Sequence, residues 1–219
     1  MSPDTKGFED FLIEHGVLAF HDQPITFKSG IASRWYINCR RLSQNLSLLD
    51  QTAGYVVSFL KNRHLVENID AVLGVPEGAT ELGNAVSRLL IKEGLTPSDK
   101  LYFIRVKPKE HGDPANRFWV NGNIPARVIV LEDVTTTGGS AIGFVRALRE
   151  AGTQVVAVVG LVNRLHVVNG KTVLESFAEA GIPYHSLTTA EKLLPPFLAT
   201  FPDTARKEVE SIINAEYVK

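Results

Sequence analysis

A single cysteine, Cys39, and a single methionine supply all the sulfur in 219 residues. One thiol cannot close an intramolecular disulfide, so an apolar core must hold the fold, and a reducing compartment, the cytoplasm, is the expected location. Excess charge of one sign is lacking as well: 23 Lys and Arg stand against 24 Asp and Glu, a formal net charge of -1. Nothing global therefore points to nucleic acid or an acidic membrane surface, and any anion site must be local. Long apolar runs are missing too. The most apolar stretch, residues 155–162, falls far short of the roughly 20 residues a membrane-crossing helix needs and suits a buried strand. The first 16 residues mix Asp4, Lys6, Glu9, Asp10 and Glu14 with apolar side chains, which is not the basic-then-apolar order of a secretory signal.

What is present is a 44% hydrophobic chain, enough for one substantial core. From about residue 50, β-branched runs alternate with amphipathic stretches. Ser47 is placed to cap a helix carrying Leu48, Leu49, Tyr55, Val56, Phe59 and Leu60 on one face. Strands are expected at 69–75, 101–106, 126–131 and 154–162, helices over Thr80–Lys92 and around Ile142, Val145, Ala147 and Leu148, with Gly152 as a helix stop. A polar loop near 107–121 interrupts them. This order predicts an α/β fold with a mostly parallel sheet, helices on both faces and ligands beyond the C-terminal strand ends. Residues 1–45 do not continue the alternation and are expected to form an N-terminal helix and hood, with 46–219 as the core and its C-terminal helix.

The most informative segment is the apolar run Val128, Ile129, Val130, Leu131, then Glu132, Asp133, Val134, Thr135, Thr136, Thr137, Gly138, Gly139 and Ser140. Glycines let the backbone turn tightly around an anion, and the amides opening the next helix, with the Thr and Ser hydroxyls, supply donors. The two carboxylates can accept from sugar hydroxyls. A ribose 5-phosphate satisfies both. Capping and turn formation alone would explain neither the paired acids nor the whole hydroxyl-glycine run. The segment lacks both the Gly-Lys-Ser/Thr of a P-loop and the Gly-x-Gly-x-x-Gly of dinucleotide sites.

This segment resembles the phosphoribosyl pyrophosphate (PRPP) motif of the type I phosphoribosyltransferase family. Three further segments are similar to its orotate phosphoribosyltransferase branch. Phe27-Lys28-Ser29-Gly30 with Ser33-Arg34-Trp35-Tyr36-Ile37-Asn38 resembles the hood: the likeness implies that Lys28 reaches PRPP and that Tyr36 and Ile37 cover orotate. Arg105-Val106-Lys107-Pro108-Lys109-Glu110-His111-Gly112 resembles the catalytic loop, which implies pyrophosphate binding by Arg105, Lys107, Lys109 and His111. Arg164, closing Leu161-Val162-Asn163-Arg164, falls where the family pairs an arginine with the orotate carboxylate. Thr136 would help hold orotate. A guanidinium fork binds a carboxylate through two parallel hydrogen bonds, and adenine, guanine and uracil offer no carboxylate.

The resemblance further implies transfer of phosphoribose from PRPP to orotate, with Arg105, Lys109, His111 and Asp133 as catalytic residues. It also implies Mg²⁺ held mostly by substrate oxygens, without first-shell protein ligands, and a homodimer whose loops enter each other's sites. The chain departs from the family where Pro76, Glu77 and Gly78 replace a lysine-containing pyrophosphate turn, and at Val106 and Asn163. The family tends to have a cis peptide in this turn, so the resemblance implies one at Val75–Pro76, before proline, where cis costs far less. Two other readings use the same PRPP loop: transfer to a different base, and a PRPP-sensing regulator.

Overall fold

A computed structural model of the chain describes residues 5–26, 30, 32–105, 109–111, 117–167 and 170–217. Of the expected site residues, Lys28 and Lys107 lie outside these. The cleft described below is organised by a parallel sheet of β3 (Ala71–Gly74), β4 (Arg127–Thr135), β5 (Gln154–Asn163) and β6 (Tyr184–Thr189), adjacent in that order. Parallel neighbours require crossovers, and here each carries a helix: α3 (Thr80–Lys92), α4 (Gly139–Glu150) and α5 (Val173–Glu179). The central position of β4 explains its unbroken apolar run, because Val128, Ile129, Val130 and Leu131 are all fully buried.

Alternation along β4 sends these side chains to opposite faces. Ile129 and Leu131 join Val56, Phe59 and Leu60 of α2 (Leu46–Asn62) and Leu82, Val86 and Leu90 of α3. Val128 and Val130 join Ala141, Val145 and Leu148 of α4 and Val173 and Phe177 of α5. Burial of each such large side chain stabilises the fold by about 2 kcal/mol, so the two faces together fix the sheet.

The N-terminal residues form α1 (Thr5–Glu14), an antiparallel pair β1 (Leu18–Thr26) and β2 (Ala32–Ile37), and a 3-10 turn at Cys39–Ser43. Phe8, Phe11, Leu12, Trp35, Ile37 and Leu42 share one apolar cluster with α2, α3, α6 (Ala190–Leu198) and α7 (Asp203–Tyr217). The Thr188 hydroxyl donates to Glu9 at 2.6 Å, which ties α1 to β6.

Helix α3 has the limits its periodicity predicts, and Gly152, at φ +84°, follows α4 as a left-handed stop. Two expectations are corrected. Asn45, not Ser47, caps α2: its side chain accepts the Leu48 amide at 3.0 Å, and the helix has begun before Ser47. Residues 101–105 form no strand of the sheet. They return on themselves through the isolated antiparallel bridge Ile104–Trp119, leaving Leu101 and Phe103 about 40% exposed instead of buried on two faces. No helix among the described residues is long and apolar enough to cross a membrane.

Candidate active site

Beyond the C-terminal ends of β3, β4 and β5 opens a cleft of about 660 Å³. It brings together Tyr36 and Ile37, the turn Pro76, Glu77 and Gly78, the whole run from Glu132 to Ser140, and Arg164. This is where an open parallel sheet places its ligand.

Glu132 is buried and Asp133 half-buried, but they do not end the strand as the sequence suggests. Val134 and Thr135 still pair with Val162 and Asn163 of β5, and the Arg164 amide donates to the Thr135 carbonyl at 2.9 Å. The acids therefore project from a rigid ladder. Thr135 is buried at the cleft floor, so the loop proper is Thr136, Thr137 and Gly138. Gly138 adopts φ +79°, and a Cβ there would lie 2.8 Å from the Phe177 ring, so only glycine fits without displacement. The Gly139 amide bonds the Thr137 hydroxyl at 3.3 Å, and α4 starts without a side-chain cap. A helix start of this kind, facing a cleft lined by hydroxyls, suits a phosphate.

The turn after β3 presses against the same acid. A Cβ on Gly78 would sit 2.6 Å from Asp133 Oδ2, and one on Gly74 would run into the Ala79 carbonyl. The cis peptide is Pro76–Glu77, one bond later than expected. The turn is closely packed on either side of that bond, with no room for a Cβ at Gly74 or Gly78.

Arg164 is only 2% exposed, so it is no surface ion-pair residue. Its guanidinium carbon stacks 4.0 Å from the Trp35 ring centre, and Nη2 donates to Ser33 Oγ and to the Trp35 carbonyl, both at 3.3 Å. The β2 strand thus aims a cation from the end of β5 into the cleft beside Tyr36. Burial, then the Arg164 charge, lower the His166 pKa to about 4, so this neighbour adds no positive charge near neutrality. Burial also raises the Cys39 thiol pKa, assisted by Asp133.

Arg105, Lys109 and His111 are not among the lining residues. Lys109 and His111 are exposed, and the flanks of their loop are tied by the Arg105 amide to the Phe118 carbonyl and the Lys109 amide to the Arg117 carbonyl, both at 2.8 Å. Lining residues that sequence reasoning missed are Ile25, Thr26, Asn38 and Arg40. Arg40 Nε lies 4.0 Å from Asp133 Oδ2. Its only sequence signal is an adjacent Arg40-Arg41 pair, indistinguishable from a solvated surface.

No family profile matches the chain. It is similar to the orotate phosphoribosyltransferase of Rhodopseudomonas palustris, with 37% identity over 174 residues, 78% of this chain and 87% of that protein. Among solved structures it is similar to the orotate phosphoribosyltransferase of Aeropyrum pernix, with a TM-score of 0.64 and 26% identity, covering 89% of this chain and 99% of that one. The enzyme of the same name from Francisella tularensis shares the fold with a TM-score of 0.66 at 18% identity, covering 94% of this chain and 96% of that one. With identity extending over most of the sequence and a parallel sheet carrying the acid-hydroxyl-glycine run into the cleft, the chain belongs to the orotate phosphoribosyltransferase family and has the type I phosphoribosyltransferase fold.

Proposed function

We propose that the chain transfers the phosphoribosyl group of PRPP to orotate, giving orotidine 5'-monophosphate and pyrophosphate. The observation that carries this reading is the single cleft in which the 132–140 run and the buried Arg164 meet. The 5'-phosphate sits on the amides and hydroxyls of Thr136, Thr137, Gly138, Gly139 and Ser140, with Val134 and Thr135 forming the floor beneath. Glu132 and Asp133 accept hydrogen bonds from the ribose diol. Orotate lies between Tyr36, Ile37 and Thr136, and its carboxylate faces Arg164.

In the transfer, the ribose C1–oxygen bond to pyrophosphate breaks as the bond from orotate N1 to C1 forms, through a transition state with oxocarbenium character. No protein nucleophile is required. Fixed positions for both substrates lower the barrier by removing orientational freedom before the reaction. Arg105, Lys107, Lys109 and His111 stabilise the departing pyrophosphate, with Lys28 reaching PRPP from the hood and the 76–78 turn offering backbone donors. Lys28 and Lys107 lie outside the described residues. Residues 1–45 act as the hood over the base, and the catalytic loop closes on the site of a partner subunit in a homodimer. The cytoplasm is the proposed location.

Mg²⁺ fits the chemistry of the cleft, since Glu77, Glu132 and Asp133 are hard oxygen donors on its wall. No group of three or more His, Cys, Asp or Glu side chains among the described residues could hold the ion unaided, so substrate oxygens would supply most of its contacts. When bound, it offsets negative charge on the pyrophosphate. The test is orotate absorbance followed with PRPP and Mg²⁺. The native chain should consume orotate, and Arg164→Ala should lose at least ~100-fold in kcat/KM for it, as expected when a buried charged partner is removed. Native-like turnover by Arg164→Ala would defeat the carboxylate assignment.

A further inference from the structure

The charges lining the cleft are unbalanced for the ligand it is proposed to take. Glu77, Glu132 and Asp133 place three carboxylates on its wall, against the guanidinium groups of Arg40 and Arg164. Arg164 is buried under Trp35 and bonded to Ser33 and the Trp35 carbonyl, which fixes it at the base end of the cleft. Arg40 is different: its side chain is 69% exposed, and its contact with Asp133 is a loose 4.0 Å. A 4.0 Å pair with one partner in solvent holds weakly, so a multiply charged ligand can take the guanidinium over.

The position of Arg40 is set by its backbone. The 3-10 turn Cys39–Ser43 is anchored by the buried Cys39 and Leu42 on either side of the arginine pair. Arg41 leaves on the other side, its guanidinium 3.7 Å from where a Gly16 Cβ would stand. Of the two neighbours only Arg40 lines the cleft. The Asp133 oxygen it approaches, Oδ2, is also the atom a Gly78 side chain would meet first. Arg40, Asp133 and the turn of Pro76, Glu77 and Gly78 therefore converge on one part of the cleft wall, at Asp133 Oδ2.

Resting on the PRPP reading above, we infer that Arg40 is a substrate-binding residue whose guanidinium grips the pyrophosphate end of PRPP opposite the 76–78 turn. A guanidinium suits the task, because its planar fork can donate two parallel hydrogen bonds to one phosphate or bridge two. It also offsets the repulsion that Glu77 and Asp133 exert on an incoming polyanion. A role confined to neutralising Asp133 would act on the ribose instead.

Calorimetric titration with Mg²⁺ and either pyrophosphate or ribose 5-phosphate separates these roles, alongside KM values for PRPP and orotate. Arg40→Gln should raise the pyrophosphate Kd and the PRPP KM about tenfold, the loss of one charge-assisted contact. Ribose 5-phosphate affinity and the orotate KM should stay unchanged. Arg40→Lys should fall between the two, and Arg41→Gln should match the native protein. Native-like pyrophosphate affinity in Arg40→Gln, equal weakening of both ligands, or no pyrophosphate binding by the native chain would overturn the assignment. If the native chain binds pyrophosphate but does not consume orotate, the orotate reading fails while the comparison of pyrophosphate affinities still judges Arg40.

Discussion

Residues 127–140 run from a central strand, buried on both faces, directly into a helix, and their functional groups stand on that scaffold. Among the described residues of segment 101–121, the two arms meet around the isolated bridge Ile104–Trp119 and the backbone bonds Arg105–Phe118, Lys109–Arg117 and Val120–Phe103, outside the parallel sheet; Leu101, Phe103 and Val120 are between 40% and 51% exposed, and Lys109 and His111 lie in solvent. Both supply groups to the proposed chemistry. Groups that recognise a ground-state ligand gain from being fixed in advance, whereas groups that seal the site must admit the substrate first. Stability and activity should therefore respond differently to substitutions in the two regions.

The largest effect separates them outright. Lys109→Ala should lower kcat about 100- to 1000-fold, the usual loss when a charge-stabilising donor is removed, with no change in Tm because the side chain is exposed. A fall in Tm, or a native kcat, would contradict the assignment of Lys109 to the departing pyrophosphate. Gly138→Ala attacks the wall. A left-handed backbone at φ +79° and a Cβ 2.8 Å from the Phe177 ring should cost about 1–3 kcal/mol of stability, seen as a lower urea midpoint together with a raised PRPP KM. An unchanged midpoint would mean that the loop can shift without cost.

A smaller effect concerns the residue beside Arg164. His166 titrates near 6.5 when unfolded and about 4 when folded, so the unfolded chain binds the extra proton between these values. The stability this provides is complete above about pH 6.5 and is lost as the pH falls toward 4. For a side chain this little exposed, the loss should reach about 2 kcal/mol. Urea denaturation at pH 7 and pH 4.5 should show a smaller acid-induced loss in His166→Gln than in the native protein, and equal losses would remove this role.

The same contrast explains what the sequence disclosed. Helix α3 and strands β4 and β5 were legible because unbroken amphipathic or β-branched runs answer to one neighbouring layer. The 132–140 run was legible because its chemistry is contiguous. Segment 101–105 has strand-forming residues but no sheet neighbour, and propensity alone cannot supply a partner. The reverse holds for β6: Tyr184, His185, Ser186, Thr188 and Thr189 are poorly apolar, and this strand is secured by its register with β5 and by Glu9 from the far end of the chain. Arg40 was invisible for a related reason, since its place depends on a turn packed near β4, almost a hundred residues away in sequence.

The most direct measurement is a crystal structure of the protein soaked with orotidine 5'-monophosphate. Density should show the phosphate on the amides of residues 136–140, the ribose hydroxyls on Glu132 and Asp133, and the base carboxylate at Arg164. A nucleotide bound elsewhere while this cleft stays open, or one whose carboxylate turns away from Arg164, would contradict the proposed site.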